Sequence, residues 1–238
     1  MSIIRNIISA LFILCVCSCA ADYTLHYSNV TFGDFKDGKF ISDQGLTFNI
    51  VEQTCSGSID SLKRAVISCD ILANTGESEY SVRLTDFDPI FTKSHVDSTA
   101  VTDSSIFVND PVNIGEIWYS GGYLNLLLYI PIKESSNQVH MVNLIRDDDC
   151  TDTGVYKFTF KHNAFGEVIT ATDNEFIFSS QYISFPLANI FQKNEQNVQI
   201  IFNWTSPEEK DGLLTTETKK NTVSLDVERS GYEHLGQE

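Results

Sequence analysis

Basic residues are scarce in this chain: 16 Lys and Arg stand against 32 Asp and Glu in 238 residues, a formal net charge of −16. So acidic a body cannot neutralise a run of phosphates, and the interleaved aromatic and basic stripe that single strands need is missing. Nucleic acid is therefore set aside as a partner. Paired cysteines are missing as well. Of the six cysteines, the three beyond residue 19, Cys55, Cys69 and Cys150, are an odd number without CxxC spacing, which removes a zinc-ribbon site and a full disulfide framework and leaves one Cys55–Cys69 bridge open. No long amphipathic helix, heptad or internal repeat is found, which excludes bundles, coiled coils and solenoids. GxSxG, HExxH and the P-loop are absent, and the lone SGGY at Ser120–Tyr123 is no nucleophile elbow. The sequence names no catalytic residue and no cofactor, and the expectation is a binding protein rather than an enzyme.

What the chain does have begins at its N-terminus. MSIIRN carries one positive charge at Arg5, and IISALFILCVC then runs apolar over a length too short for a transmembrane helix, the pattern of a secretory signal. Val16, Cys17, Ser18 and Cys19 put an aliphatic residue at minus three and a small one at minus one, which resembles the bacterial lipobox. Residues 1–18 would leave as a lipoprotein signal peptide, with Cys15 and Cys17 in it, and the Cys19 thiol would be acylated as the first mature residue. A plain secretory signal cleaved around Ser18-Cys19-Ala20 is the alternative. One acyl chain holds a protein to a membrane only marginally, with an association constant on the order of 10⁴ M⁻¹, whereas the several chains of a bacterial lipoprotein make the attachment effectively permanent. The membrane is thus reached through the anchor and a short tether, residues 19–23, with no need of a basic patch. The expected address is the cell envelope, on the outer membrane. Ala20-Ala21-Asp22 supplies a single early acid, where surface export goes with an acidic run, so the periplasmic face is favoured.

Past the anchor the chain reads as short alternating strands separated by turn chemistry, an all-β pattern. GLTFNIVEQ, RAVISCDILAN and SEYSVRLTDFDPIF are strand candidates, divided by turns around Ser56-Gly57 and Asn74-Thr75-Gly76. Ala65, Ile67, Cys69 and Ile71 share a face, which points Cys69 inward as a small core residue. A polar stretch from Lys93 to Ser105, followed by Asp110-Pro111, marks a domain boundary. Beyond it, apolar residues fall at every second position in four runs: Leu124 to Ile132, Tyr156 to Phe160, Val198 to Trp204 and Val223 to Val227. These predict an antiparallel sandwich with one solvated face per sheet. FPLANIF, Phe185 to Phe191, suggests a helical turn in a crossover, and the tail 230–238 is expected to fray.

The segments WYSGGYLNLLLYIP, HMVNLI and KFTFKHNAFGE, with the lipobox and the earlier RAVISCDIL and EYSVRL strands, resemble the NigD-like lipoproteins of Bacteroidetes-type bacteria. WxxGGYLN and KHNxxGE carry the resemblance most specifically, since alternation alone does not demand their glycines, aromatic and Asn. The resemblance implies a small OB-like β-barrel over residues 24–98 and an antiparallel β-sandwich over residues 106–229, on a lipid-anchored chain. It also implies a bacteriocin-immunity role, suggested by the operon from which the family takes its name, and no common biochemical activity.

Trp118, Tyr119 and Tyr123 bracket two glycines and are the candidate binding residues, for a glycan or a protein partner. The reading that strand parity favours makes Gly121-Gly122 a bend entering the strand, with Trp118 filling the top of the sandwich or the joint between domains, since Leu124 to Ile132 already point one face inward. Asp147, Asp148, Asp149 and Asp152 crowd hard oxygen ligands into a hairpin loop but match no EF-hand, so a solvated turn is expected in place of calcium. His140 and His162 could be neighbours across a sheet, yet two histidines without a third ligand make no zinc site. Tyr27, Phe32, Phe35 and Phe40 could serve a sugar on an OB-like face or fill the barrel. The resulting reading is a lipid-anchored envelope protein acting as a binding or interaction module. Immunity or a protein partner ranks first, carbohydrate binding in nutrient uptake second, and an envelope hydrolase third.

Overall fold

The computed structural model describes residues 25–133, 138–148, 150, 152–167, 176–191, 195, 197–210 and 213–226. The signal peptide, Cys19, the tether, the tail and Asp149 lie outside the described residues. Strands β1 (Leu25–Lys36), β2 (Lys39–Ser42), β3 (Thr47–Gln53), β4 (Arg64–Gly76) and β5 (Glu79–Pro89) close into a barrel in the order β1-β2-β3-β5-β4. Only β3 and β5 pair in parallel within it, from Thr47↔Glu79 to Gln53↔Leu84, giving a five-stranded barrel of OB type. Successive strand residues point to opposite faces, and Ala65, Ile67 and Cys69 accordingly meet Phe40, Phe48, Val82 and Leu84 in the barrel core. Burial pushes the Cys69 thiol up to about 11, which makes it a packing residue and a poor nucleophile. Cys55, Cys69 and Cys150 are all free thiols, so the bridge left open between the first two is not formed. Gly33 permits the tight curl of β1 over β2, since a Cβ there would lie 2.2 Å from the Ile41 carbonyl oxygen.

Among the described residues beyond the barrel, the strands form two sheets. Their strands are β6 (Phe91–Thr92), β7 (Val96–Asp97), β8 (Asn113–Ser120), β9 (Tyr123–Lys133), β10 (Met141–Arg146), β11 (Val155–Asn163), β12 (Phe176–Pro186), β13 (Asn197–Lys210) and β14 (Leu213–Asp226). One sheet runs β14-β13-β11-β10-β7 and the other β6-β12-β9-β8. Leu124, Leu126 and Leu128 of the second pack on Phe158, Phe160, Ile200 and Phe202 of the first, the faces that alternation directs to the core. Each such fully buried side chain contributes roughly 1.5–3 kcal/mol.

Three details differ from expectation. The sandwich is mixed rather than wholly antiparallel, because β11 pairs with β13, β10 with β7 and β12 with β6 in parallel. The barrel domain expected over residues 24–98 takes in 91–97, but β6 and β7 hydrogen-bond into the sandwich sheets, and Lys93 Nζ donates to the Val142 carbonyl at 3.0 Å and to Asn143 Oδ1 at 2.6 Å. FPLANIF differs in part: Phe185 and Pro186 complete β12, and only then comes a turn, with Ile190 N donating to the Leu187 carbonyl and Leu187 and Ala188 donating to the Gly122 carbonyl, on the way from β12 to β13 of the other sheet.

Candidate functional site

The junction between barrel and sandwich is built around a two-residue turn. Strands β8 and β9 form a hairpin closed by Ser120↔Tyr123, with Gly121 at φ 57° and Gly122 at φ 83°. Two left-handed positions in sequence match the right-handed twist of a hairpin, and glycine adopts them without steric cost. The bend read from the sequence is thus a tight hairpin turn. It presses against the barrel, since a Cβ on Gly121 would lie 2.2 Å from Asp43 Oδ1 in the loop after β2.

Asp43 belongs to a buried network centred on Arg64, whose side chain is 1% exposed. The guanidinium has five N–H donors, and all find acceptors. Nη1 donates to Asp43 Oδ1 at 2.8 Å and Asp34 Oδ1 at 3.1 Å. Nη2 donates to Asp43 Oδ2 at 2.7 Å and Asn125 Oδ1 at 3.1 Å, and Nε donates to Ser184 Oγ at 2.9 Å. Asp34, Asp43 and Arg64 come from the barrel, while Asn125 and Ser184 come from β9 and β12 of the sandwich. Ser120 Oγ donates to Asp43 Oδ2 at 2.5 Å, and the Tyr123 ring covers the guanidinium at 4.0 Å while its hydroxyl donates to Asp34 Oδ2 at 3.1 Å. Burial alone would lower the Arg64 pKa, but the Asp43 hydrogen bonds and the attraction of both aspartates raise it above its ordinary value. For Asp34 burial is the largest influence and raises the pKa against the pull of Arg64. Both shifts are upward, which favours charged Arg64 but neutral Asp34, because Asp43 takes the bidentate pairing and leaves Asp34 one Arg64 bond. Burial, then Asp34, push the Tyr123 hydroxyl up to about 12. Removing one partner of such a buried pair costs about 3–5 kcal/mol, because the other charge is stranded. The network therefore holds the two domains in one arrangement.

Beside it opens a groove of about 320 Å³ lined by Phe32, Gln44, Glu116, Trp118, Ser120 and Tyr182. Phe32 leaves the barrel on β1, Trp118 stands on β8 and Tyr182 on β12. Their rings pack edge to face, with centroids 5.1 Å apart for Phe32–Trp118, 5.0 Å for Phe32–Tyr182 and 6.2 Å for Trp118–Tyr182. The three aromatics singled out in the sequence are thus divided. Trp118 walls the groove, Tyr123 covers Arg64, and Tyr119 turns inward to Phe191 at 5.8 Å and packs on the sandwich core. Every fixed residue of WxxGGYLN has a place here: Trp118 in the groove, the glycines in the turn, Tyr123 and Asn125 on Arg64, and Leu124 in the core.

The other sequence candidates lie elsewhere. His162 is buried on β11, and its Nε2 is 3.0 Å from Nδ1 of His140, whose Nε2 lies 3.4 Å from Glu167. Burial first, then His140, hold His162 below the usual imidazole range. Asn163 Oδ1 accepts from Phe165 N at 2.9 Å and Gly166 sits at φ 91°, so KHNxxGE folds as a turn around this pair. Asp147, Asp148 and Asp152 occupy the β10–β11 loop, where Asp148 accepts from Thr99 N at 3.1 Å and Thr99 Oγ1 at 2.7 Å. No group of three metal-ligating side chains occurs among the described residues. Phe35 and Phe40 fill the barrel, Phe32 faces outward to the groove, and the Tyr27 side chain lies outside the described side chains. Sequence reasoning missed Arg64, Asp43, Asp34, Ser184 and Tyr182. An arginine heading the apolar strand RAVISCDIL was the one local sign of the network.

Comparison with known proteins places the chain. Residues 94–219, more than half of it, match the family model described as the NigD-like C-terminal beta sandwich domain. A NigD-like immunity protein from Bacteroides caccae superposes with a TM-score of 0.58 at 20% identity, over 80% of this chain and 93% of that one. A candidate toxin-related protein from Parabacteroides distasonis gives 0.55 at 20%, over 80% and 90%. A candidate lipoprotein from Bacteroides fragilis gives 0.55 at 13%, over 83% and 96%. These structures share the fold with this chain. No curated protein matches the sequence. With its barrel, its mixed sandwich and the matched domain spanning most of that sandwich, the chain belongs to the NigD-like family.

Proposed function

We propose that this protein is a lipid-anchored component of the cell envelope, on the periplasmic face of the outer membrane, that works as a non-catalytic binding module of immunity type. The observation that carries the reading is the junction groove: half-exposed Phe32, Trp118 and Tyr182 face an open space beside a fully satisfied buried network. Rings held by a rigid scaffold at a domain interface are what a binding site requires. The lipobox at Val16–Cys19 supports the anchor, as does the fold shared with a candidate lipoprotein, and a relative described as an immunity protein supports the role.

The test is survival of a deletion strain in co-culture with bacteriocin-producing neighbours. The intact chain restores survival. The Cys19→Ser form takes up no palmitate analogue, stays unprocessed or soluble, and restores nothing. The Trp118→Ala form reaches the membrane at wild-type level, unfolds within a few degrees of wild type, and also fails to restore survival. Equal survival of all strains, with a glycan-array signal that Trp118→Ala removes, would move the protein to the carbohydrate-binding class.

A further inference from the structure

The groove has a chemistry that narrows what can enter it. Its three rings stand nearly perpendicular to one another, at 80° for Phe32–Trp118, 88° for Phe32–Tyr182 and 86° for Trp118–Tyr182. No two are coplanar, so they offer no flat platform on which successive sugar rings could stack. Any ring face left open beyond these edge-to-face contacts carries the negative side of its quadrupole, which suits a compact cation. Glu116 stands exposed on the same wall and adds a full negative charge. Behind Ser120, Asp34 and Asp43 outnumber Arg64 two to one. The chain as a whole, at a net charge of −16, draws cationic partners from a distance.

The surface beyond the groove points to a polypeptide. Across β12 and β9, Tyr182 pairs with Leu127, Ser180 with Tyr129 and Phe178 with Pro131, so the outer face of the sheet continues from the groove through Tyr129 to Phe178. Tyr129 is 39% and Phe178 56% exposed, and the Tyr129 ring lies over Gly115, where a Cβ would fall 2.5 Å away. From Tyr182 to Phe178 a strand rises about 13 Å, the length of roughly four extended residues. Trp and Tyr beside a pocket are the usual composition of a protein-binding hot spot.

We propose that the junction groove takes a lysine or arginine side chain of a basic protein partner, with the flanking peptide laid along the Tyr129–Phe178 stripe. This rests on the groove being the binding site and adds the charge and class of the occupant. The experiment is fluorescence anisotropy of a short fluorescein-labelled Lys/Arg peptide titrated with the full-length protein in detergent, at physiological salt, where charges beyond about 8 Å are screened. An acetyl-lysine, citrulline peptide is the neutral control, and thermal unfolding certifies each variant as folded. The peptide binds saturably and the neutral control does not. Trp118→Leu and Tyr182→Leu each weaken binding about tenfold, Glu116→Gln weakens it severalfold, and Asp86→Asn, which removes one exposed charge from the barrel, changes nothing. Equal losses in Glu116→Gln and Asp86→Asn with wild-type affinity in the aromatic variants would mean diffuse electrostatics and overturn the inference. No peptide binding, together with a glycan ligand lost in Trp118→Leu, would overturn the cationic occupant and leave the groove as the site. Absence of any Trp118-dependent binding to either probe would overturn both.

Discussion

Gly121 carries two constraints that can be separated. Its φ of 57° is the left-handed region, and its missing Cβ leaves room for Asp43 Oδ1. Gly38, in the β1–β2 turn, shares the first constraint at φ 76°, but a Cβ added there would meet nothing within 4 Å. Gly38→Ala should therefore cost only the backbone strain, on the order of 1–3 kcal/mol. Gly121→Ala should cost that and more, because Asp43 must leave the bidentate geometry that neutralises buried Arg64. Urea unfolding of the two variants side by side measures the excess. Equal losses would show that the turn does not bear on Asp43.

Strands showed in the sequence wherever one face is buried and the other wet. β9, β11 and β13 alternate because their inner residues meet the opposite sheet. β8 was hidden by an irregularity between Ile114 and Glu116 that breaks the period of two. In β12 one end of the outer face is also covered, Ser184 by the barrel's Arg64 and Tyr182 by Phe32, while Phe178 at the other end is exposed, so FIFSSQYISFP does not alternate cleanly. The two-residue strands β6 and β7 are held by parallel partners distant in sequence and have no local signal. The turn after β7 shows how such pieces are fastened, since the Asp148 carboxylate holds Thr99 from the β10–β11 loop. Hydrogen bonds from the Thr99 side chain and then its backbone keep Asp148 below its ordinary value of 3.8. A depressed carboxylate stabilises the fold above its unfolded pKa, and that contribution fades as pH falls through the lower folded value. The Thr99 amide resonance, followed by NMR, should titrate with a midpoint below 3.8 and lose this transition in Asp148→Asn. A midpoint at or above 3.8 would contradict the tie.

At the scale of the whole molecule, two domains are made into one body by an ion network that no single stretch of sequence displays. The motif WxxGGYLN marked where the junction is, and Trp118 was singled out from it. Phe32 and Tyr182, which complete the groove, and Arg64, which fixes the domains beside it, lie far away along the chain, and only folding brings them together. An aromatic beside a glycine pair can belong to a core or to a site, and the distinction depends on what the opposite domain places against it. The central claim is that this groove is where the protein binds, and the two tryptophans can test it together. Trp118 stands in the groove, while Trp204 is 8% exposed in the sandwich core. In an NMR titration with the Lys/Arg peptide, the Trp118 indole N–H resonance should shift saturably with the occupancy measured by anisotropy, while that of Trp204 stays in place. A Trp118 indole that does not move while the peptide is bound would place binding elsewhere and contradict the account.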